Sequence, residues 1–205
     1  ADVKVTVDDP RNLYELSEVA QGYGATVGVL VEVDTSMGRA GIRSVERGVE
    51  LAELAAKLPG IAFKGVMSHQ TLRGRPDKET RMIEGRRYIQ MCLDLKEAIE
   101  EVGIPVEIVS TGETWTYDVA ASIPGVTEVE GGTYALMSTN QTYMDEFRVA
   151  AKILTTVIST PRTGVAIGDV GLMALSNLGA NNIEGMPEIS VDALFEDHIV
   201  LTSSG

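Results

Sequence analysis

The sequence comprises 205 residues, with 44% hydrophobic and 23% charged side chains, a composition typical of a globular protein with enough apolar material for a core. Its formal net charge of −13 argues against binding to nucleic acid or to an anionic membrane. The longest apolar runs have the length of strands, so no membrane-spanning segment is predicted, and we expect a cytoplasmic protein. Cys92, the single cysteine, excludes an internal disulfide and falls in a helical pattern, which predicts a small core residue.

Strand-like and helix-like patterns alternate along the first 145 residues. The predicted strands cover 3–7, 27–33, 63–67, 106–110 and 126–137. Helices are predicted between them, at 12–21, at 44–58, at 77–102 and from residue 113 onward. Five successive strands separated by helices favour a parallel sheet, either as part of a closed eight-stranded barrel or as an open doubly wound sheet.

The pattern changes after residue 145. Segments 151–160, 163–169 and 192–202 have the pattern of strands, with turn signals between them and little helix. The sequence therefore predicts an α/β domain at 1–147 and the start of a separate β-rich domain at 148–205.

Polar or glycine-rich residues follow every predicted strand of the first domain. They occupy positions 8–9, 34–39, 68–70, 110–114 and 131–134. Because ligands bind at the carboxyl ends of parallel strands, we expect the functional site at these positions. Arg39, which follows the buried segment "VLVEVD", is then either a ligand-binding arginine or a surface residue of an ordinary loop.

Two of these strand ends carry glycine and hydroxyl residues. In "STGET" the hydroxyls and Gly112 precede a short helix, whose N-terminal amides favour an anion. The simpler alternative is an N-cap by Thr111 or Thr114. "EGGTY", at 130–134, offers a second group of backbone donors. Together the two segments predict a phosphate that bridges both strand ends.

The remaining titratable candidates allow more than one interpretation. His69 is either a hydrogen-bonded core residue or part of the site, and no residue near it in sequence has metal-ligand spacing. His198 follows two acids in a predicted strand and is expected at the surface. Glu128 and Glu130 share one face of a strand, where they either form a pair at the rim or include one residue that faces the site.

Several segments resemble a known enzyme family. "VEVDTSMGRAG" resembles the "VDTGMGRxG" signature of the fold-type III pyridoxal-phosphate enzymes, the alanine racemase-like barrels, and "GVMSHQ" resembles their next strand end. "VSTGETWTYDVAASIPGVTEVEGGTYALM", "TTVISTPRTGVAIGDVGLMALS" and "EDH" are similar to the branch of D-threonine aldolase and D-serine dehydratase. The resemblance implies the last five strands of a (β/α)8 TIM-type barrel, followed by the start of a β-rich domain.

The resemblance implies a site for pyridoxal 5'-phosphate. Arg39 would approach the 3-hydroxyl side of the cofactor and His69 would pack on or beside its ring, which makes these two the candidate catalytic residues. Glu130 would face the pyridine nitrogen and keep it protonated. The phosphate would be held by residues of the two glycine segments, namely Ser110, Thr111, Gly112, Thr114, Gly132 and Thr133, with Tyr134 beside them.

Departures from the family pattern lead us to expect a piece of a longer protein. The lysine that binds the cofactor lies on the family's first barrel strand, and no lysine here lies at a convincing carboxyl end of a strand; the candidates are Lys4, Lys57, Lys64, Lys78, Lys96 and Lys152. The family's downstream metal ligands would also lie outside the chain. Glu32 stands where some racemases carry a modified lysine, which argues against simple racemase chemistry.

The resemblance implies a pyridoxal-phosphate-dependent lyase that cleaves β-hydroxy-D-amino acids by a retro-aldol reaction, assisted by a divalent metal. The alternatives are a D-serine dehydratase-like ammonia-lyase, an amino-acid racemase and a non-catalytic pyridoxal-phosphate-binding protein, although the β-rich segment argues against the last. The resemblance also implies a homodimer, or association with the missing segment of the same protein, since an incomplete barrel would expose strand edges.

Overall fold

The computed structural model describes residues 2–35, 37–71, 77–137, 144–175 and 181–203. The chain forms two compact units, Ala1–Gly132 and Thr133–Gly205. The domain boundary that the sequence suggests, after residue 147, lies within the second of these units and stays a prediction. Among the described residues, no helix combines the length and the apolarity that crossing a bilayer requires.

The first unit is built on four parallel strands in sequential order. The strands are β1 (Lys4–Val7), β2 (Val27–Asp34), β3 (Ile61–His69) and β4 (Ile108–Thr111). The helices that connect them are α1 (Pro10–Gly22), α2 (Val45–Lys57) and α3 (Lys78–Glu101); after β4 come a 3₁₀ helix (Thr114–Thr116) and α4 (Tyr117–Ala121). Simple order and parallel pairing confirm the α/β class predicted from the alternating pattern.

The helices begin where the sequence supplies capping side chains. Asp9 caps α1, which has proline in its first turn, and Ser44 caps α2. Asp77 caps α3, since its Oδ1 accepts a hydrogen bond from the Thr80 amide at 2.7 Å. Each cap satisfies an amide that the helix itself leaves without a partner, which fixes the helix starts just after the strand ends.

The two faces of the sheet differ in chemistry. Val29, Val31, Val66 and Val109 point towards the helices and belong to one hydrophobic core, which also contains the buried thiol of Cys92. Because successive residues of a strand face opposite ways, the other face carries Leu30, Glu32, Met67, His69 and Ser110. Polar residues thus gather on the face away from the helices.

A bulge in β3 determines which of its residues share that polar face. Val29 pairs with Phe63, but the next residue, Leu30, pairs with Gly65, so Lys64 is the extra residue. Beyond the bulge, His69 pairs with Asp34, and Gly65 lies against β4, where a Cβ on Gly65 would be 1.9 Å from the Ile108 carbonyl oxygen. The bulge therefore puts His69 on the face that carries Glu32.

The predicted fifth strand, 126–137, is reduced to a short parallel contact with β4. Ser110 and Glu128 form an isolated bridge, and the Thr111 amide donates to the Glu128 carbonyl at 3.1 Å. After this point Gly131 and Gly132 interrupt the strand pattern, and a 3₁₀ helix follows at Thr133–Ala135. Two adjacent glycines weaken a strand because they add no side-chain packing and lose the most backbone entropy.

The second unit contains an antiparallel sheet, which confirms the predicted change to β-rich structure. Its strands are β5 (Val157–Arg162), β6 (Val165–Gly168), β7 (Ile189–Leu194) and β8 (Ile199–Ser203), in the order β5-β6-β8-β7. The predicted strand 192–202 is two strands, because the chain turns at Phe195–Asp197 and the Phe195 amide donates to the His198 carbonyl at 2.8 Å. Val170, Ile199 and Leu201 form the buried centre of this unit.

Candidate functional site

Charged and polar side chains meet at the carboxyl ends of β2, β3 and β4. His69, the last residue of β3, is half-buried. Burial lowers the pKa of its imidazole, the charge of Arg39 lowers that pKa further, and Glu32 and Glu130 act in the opposite direction. The predicted residues Arg39 and Glu130 therefore both lie within electrostatic reach of His69, and burial and Arg39 favour its neutral imidazole.

Arg39 is presented by a loop whose far end returns to β2. Ile42 forms a parallel bridge with Val33, its amide donates to the Glu32 carbonyl at 2.8 Å, and its carbonyl accepts from the Asp34 amide at 3.1 Å. Within the loop, the amide of Gly41 donates to Asp8 Oδ2 at 2.8 Å. The loop thus joins the ends of β1 and β2, and it holds the exposed Arg39 beside the sheet edge.

The influence of Arg39 on His69 gives a first prediction. We expect His69 to titrate below 6.5 and its pKa to rise in Arg39→Gln, because the substitution removes a positive charge that disfavours the imidazolium. Proton NMR of the imidazoles measures this directly, since the chain has only two histidines. Arg47→Gln, which removes an exposed arginine paired with Glu50, is the matched control and leaves His69 unchanged. An equal pKa in both variants would contradict the prediction.

Ser110 and Glu130 are joined by a hydrogen bond. The buried Ser110 hydroxyl donates to Glu130 Oε1 at 2.7 Å. The hydroxyl proton is therefore committed to the carboxylate, and Ser110 orients Glu130 rather than offering a donor to a second anion. Gly132, two residues further on, has no atom within 4 Å of the position a Cβ would take, so its backbone lies open.

Thr111 faces away from Ser110. Its hydroxyl lies 2.7 Å from that of Ser68 and accepts from Gln70 Nε2 at 2.9 Å, and all three residues are buried on the helix side of the sheet. Its backbone amide is bound to Glu128. The structure therefore does not bring the Thr111 side chain to the face that carries His69, although the two residues end neighbouring strands.

The segment after β4 is capped by its own carboxylate. Glu113, not Thr111 or Thr114, is the N-cap of the 3₁₀ helix: its Oε1 accepts from the Trp115 amide at 3.2 Å, and its own amide donates to Thr116 Oγ1 at 3.1 Å. The alternative of a threonine cap was wrong, because Thr114 lies within the 3₁₀ helix and the Thr111 hydroxyl is bonded to Ser68 and Gln70. The Trp115 and Thr114 amides, which the sequence offers to a phosphate, thus already donate to the Glu113 side chain.

Burial makes this cap sensitive to pH. Desolvation raises the pKa of Glu113 to about 7, and hydrogen bonds from the Trp115 and Thr114 amides oppose the increase. Because the folded pKa exceeds the unfolded one, the stability that Glu113 contributes is greatest below pH 4.5 and falls as the pH rises to 7. We expect this loss to be roughly 3 kcal/mol and to be absent in Glu113→Gln. Urea unfolding of both proteins at several pH values measures the difference; parallel curves would contradict it.

Two predicted residues belong to the second unit. Thr133 begins a 3₁₀ helix, where its carbonyl accepts from the Met137 amide at 2.7 Å. Tyr134 is half-exposed, and its ring centre is 6.0 Å from that of Phe147. His198, also in this unit, is partly exposed, as the sequence predicted, and its Nδ1 lies 2.8 Å from Asp197 Oδ1.

The lysines and the acidic residues give no further ligand set at these strand ends. All six lysines lie in the described part of the chain, and none is among the last residues of a parallel strand; Lys64, in the middle of β3, pairs with Glu107 at 2.8 Å. Within the described ranges, no group of three or more His, Cys, Asp or Glu side chains is arranged to hold a metal ion.

Three residues to which the sequence analysis gave no role of their own support the strand ends from behind. Gln70 and Glu113 take part in the contacts given above. Arg81 of α3 is 5% exposed and donates to the Trp115 carbonyl at 2.8 Å and to Asp118 Oδ1 at 2.9 Å. Only its place on the inner side of a long helix distinguishes Arg81 in the sequence, whereas Gln70 and Glu113 adjoin the selected residues His69 and Gly112.

Comparisons with known proteins agree with the arrangement of elements. The model of the alanine racemase N-terminal domain family matches residues 1–139. The 3-hydroxy-D-aspartate aldolase of Paracoccus denitrificans (strain Pd 1222) is 30% identical over 213 residues, which cover 98% of this chain and 55% of that protein. The D-threo-3-hydroxyaspartate dehydratase of Delftia sp. (strain HT23) is 30% identical over 182 residues, 85% of this chain and 48% of that protein.

A solved structure gives the same result for the fold. The crystal structure of D-threonine aldolase from Filomicrobium marinum matches with a TM-score of 0.93 at 24% sequence identity, over 100% of this chain and 57% of that one. The likeness confirms the predicted fold, part of an alanine racemase-like barrel followed by a β-rich domain. The chain spans about half the length of the curated relatives it matches.

Proposed function

The chain belongs to the family of the alanine racemase N-terminal domain, and from this membership we propose that it forms part of a pyridoxal-phosphate-dependent lyase that cleaves β-hydroxy-D-amino acids by a retro-aldol reaction. The observation that carries the proposal is the cluster of Arg39, His69, Ser110 and Glu130 at the carboxyl ends of the parallel strands. The aldolases among the similar proteins support the reaction type.

The side chains of the cluster fit the ring of the proposed cofactor. A flat imidazole at His69 can stack on an aromatic ring, the guanidinium of Arg39 suits a phenolic oxygen, and the carboxylate of Glu130 suits a protonated ring nitrogen. Gly112 adds close backbone packing, since a Cβ there would lie 2.7 Å from the Ala120 Cβ. Pyridoxal 5'-phosphate, when bound, supplies a ring that accepts the electron pair of the broken substrate bond.

Each residue of the cluster has a defined part in the proposal. Arg39 orients the phenolic side of the ring, and the neutral His69 packs against the ring and can accept a proton at its imidazole nitrogen. Ser110 fixes the Glu130 carboxylate by its hydrogen bond. The proposed residues of the phosphate end are Gly112, Thr114, Gly132, Thr133 and Tyr134. There the Glu113 carboxylate would compete with the phosphate for backbone amides.

Dehydration of a β-hydroxy-D-amino acid is the second candidate. The similarity to D-threo-3-hydroxyaspartate dehydratase extends over 85% of the chain, so the same cluster suits that reaction equally. A D-serine dehydratase-like activity, racemisation and non-catalytic cofactor binding are the further alternatives. A divalent metal held outside this chain, a homodimer and a cytoplasmic location complete the proposal.

Product analysis of the full-length protein with D-threonine, pyridoxal 5'-phosphate and a divalent metal tests the proposal. Retro-aldol cleavage yields glycine and acetaldehyde, dehydration yields 2-oxobutanoate and ammonia, and racemisation yields an L-amino acid. Arg39→Gln is expected to lower the affinity for the cofactor, measured from its absorbance, whereas Arg47→Gln preserves it. The proposal of an aldolase fails if glycine does not form, and the cofactor site fails if Arg39→Gln binds as tightly as the wild type.

A further inference from the structure

A continuous series of hydrogen bonds links the end of β3 to the segment after β4. The Glu113 amide donates to Thr116 Oγ1, which donates to Gln70 Oε1 at 3.3 Å. Gln70 Nε2 then donates to Thr111 Oγ1, which lies 2.7 Å from the Ser68 hydroxyl. All of these side chains are buried, and Gln70 is 0% exposed. We call this series the Gln70 relay.

Proton counting defines what position 70 must supply. The Thr116 hydroxyl oxygen accepts from the Glu113 amide, so its single proton goes to Gln70. The Thr111 hydroxyl oxygen accepts from Gln70, and either hydroxyl can donate in the contact between Thr111 and Ser68. Position 70 therefore supplies one acceptor, to Thr116, and one donor, to Thr111, whereas an ionised carboxylate has no proton to donate.

The peptide between His69 and Gln70 is held from both sides. The Thr35 hydroxyl donates to the His69 carbonyl at 3.1 Å, which fixes this peptide to the end of β2. The Gln70 side chain fixes it to Thr111 and Thr116 on the other side. A residue held at such a junction transmits any change of the 111–116 segment to His69, because buried polar networks tolerate little displacement.

We propose that Gln70 is a positioning residue that keeps His69 in register with the segment Gly112–Thr116. Its consequence for cofactor binding rests on the proposed function, whereas its consequence for His69 does not. Gln70 does not touch the polar face itself, since it lies with Thr111 on the helix side of the sheet.

Two variants of similar shape test the proposal. Gln70→Met removes both hydrogen bonds, and Gln70→Glu keeps them only while the new carboxyl is neutral, when it can donate to Thr111 and accept from Thr116. The readouts are the NMR titration of His69 in the protein without cofactor and the affinity for pyridoxal 5'-phosphate. Trp115, the single tryptophan, lies in the segment Gly112–Thr116 and is 3% exposed, so its fluorescence can report binding.

We expect Gln70→Met to shift the His69 titration and to bind pyridoxal 5'-phosphate roughly tenfold more weakly. In its affinity for pyridoxal 5'-phosphate, Gln70→Glu is expected to match the wild type at pH 5 and to bind more weakly than the wild type at pH 8, where an ionised carboxylate would be fully buried. Each comparison is made with wild type at the same pH because Glu113 of the relay also titrates. Gln21→Glu, on the exposed side of α1, is the matched control and shows no such dependence.

The outcomes separate this proposal from the proposed function. A wild type that binds no cofactor, with a His69 titration that still shifts in Gln70→Met, refutes the function and supports the positioning role. An unchanged His69 titration in both variants overturns the positioning role, whatever the cofactor does. If Gln70→Met does not fold, the proposal is tested by Gln70→Glu at pH 5. A cofactor affinity equal to that of the wild type then supports the proposal, and a weaker affinity overturns it.

Discussion

Replacing Gly65 with alanine is expected to destabilise the first unit by at least about 4 kcal/mol, enough to unfold many domains of this size. The new Cβ would lie 1.9 Å from the Ile108 carbonyl oxygen and 3.0 Å from the Ile108 amide nitrogen. Both atoms belong to the backbone of β4, so neither can move without breaking the pairing of β3 with β4. Urea unfolding followed by Trp115 fluorescence measures the loss.

Gly22→Ala is the matched control for Gly65→Ala. Gly22 ends α1, and no atom lies within 4 Å of the position of its added Cβ. Alanine there is expected to leave stability unchanged or to raise it by up to about 1 kcal/mol, because it restricts the unfolded chain. A Gly65→Ala protein with the unfolding midpoint of the wild type would contradict the expected clash between the new Cβ and the backbone of β4.

The second large effect is expected for Arg81→Met, at about 3 kcal/mol. The guanidinium donates to the Trp115 carbonyl and, through two nitrogens, to both oxygens of Asp118 at 2.9 and 3.3 Å. Methionine fills a similar volume but leaves this carbonyl and this carboxylate without their charged donor. Arg81→Lys keeps the charge without the two-pronged geometry, so an intermediate loss is expected.

Arg87→Met serves as the control on the same helix. Arg87 is largely exposed and pairs with Glu84 at 2.6 Å, and solvent screens such surface pairs so that they contribute little to stability. The comparison of urea midpoints separates the loss of a buried guanidinium from the loss of a helical arginine. Equal midpoints for the two variants would refute the role given to Arg81.

The periodicity of apolar residues predicted the parallel strands because these strands are buried, and a buried strand is recognisable from its local apolar pattern alone. Val27–Asp34 is an apolar run that contains Glu32 and ends at Asp34, and it forms the most extensively paired strand of the unit. The segment after Thr127 also alternates, but its pairing depends on one contact with β4, which no local pattern reveals. The turn at Phe195–Asp197 was not predicted because apolar residues precede and follow it, so that 192–202 has the pattern of one strand.

The site was predicted as far as it depends on strand ends, and less well where it depends on strand phase. Arg39 and His69 were selected because they follow predicted strands, and Glu130 because it lies on one face of a predicted strand and the family resemblance gave it a role. The structure brings Arg39 and Glu130 within electrostatic reach of His69. Thr111 was grouped with Ser110 although adjacent strand residues face opposite ways. Gln70 and Glu113 act through hydrogen bonds to distant residues, so their roles depend on tertiary contacts that composition and spacing do not encode.

The loop that carries Arg39 has a thermodynamic consequence for any ligand that it contacts. Residues 37–42 of this loop are tied to the ends of β1 and β2 through Gly38, Gly41 and Ile42, so their backbone loses its conformational freedom when the unit folds. The rotamers of the exposed Arg39 side chain are then ordered on association, at about 0.5–1.5 kcal/mol. A loop that is tied at one end only would lose backbone conformational entropy when the ligand binds, and this loss would raise the dissociation constant.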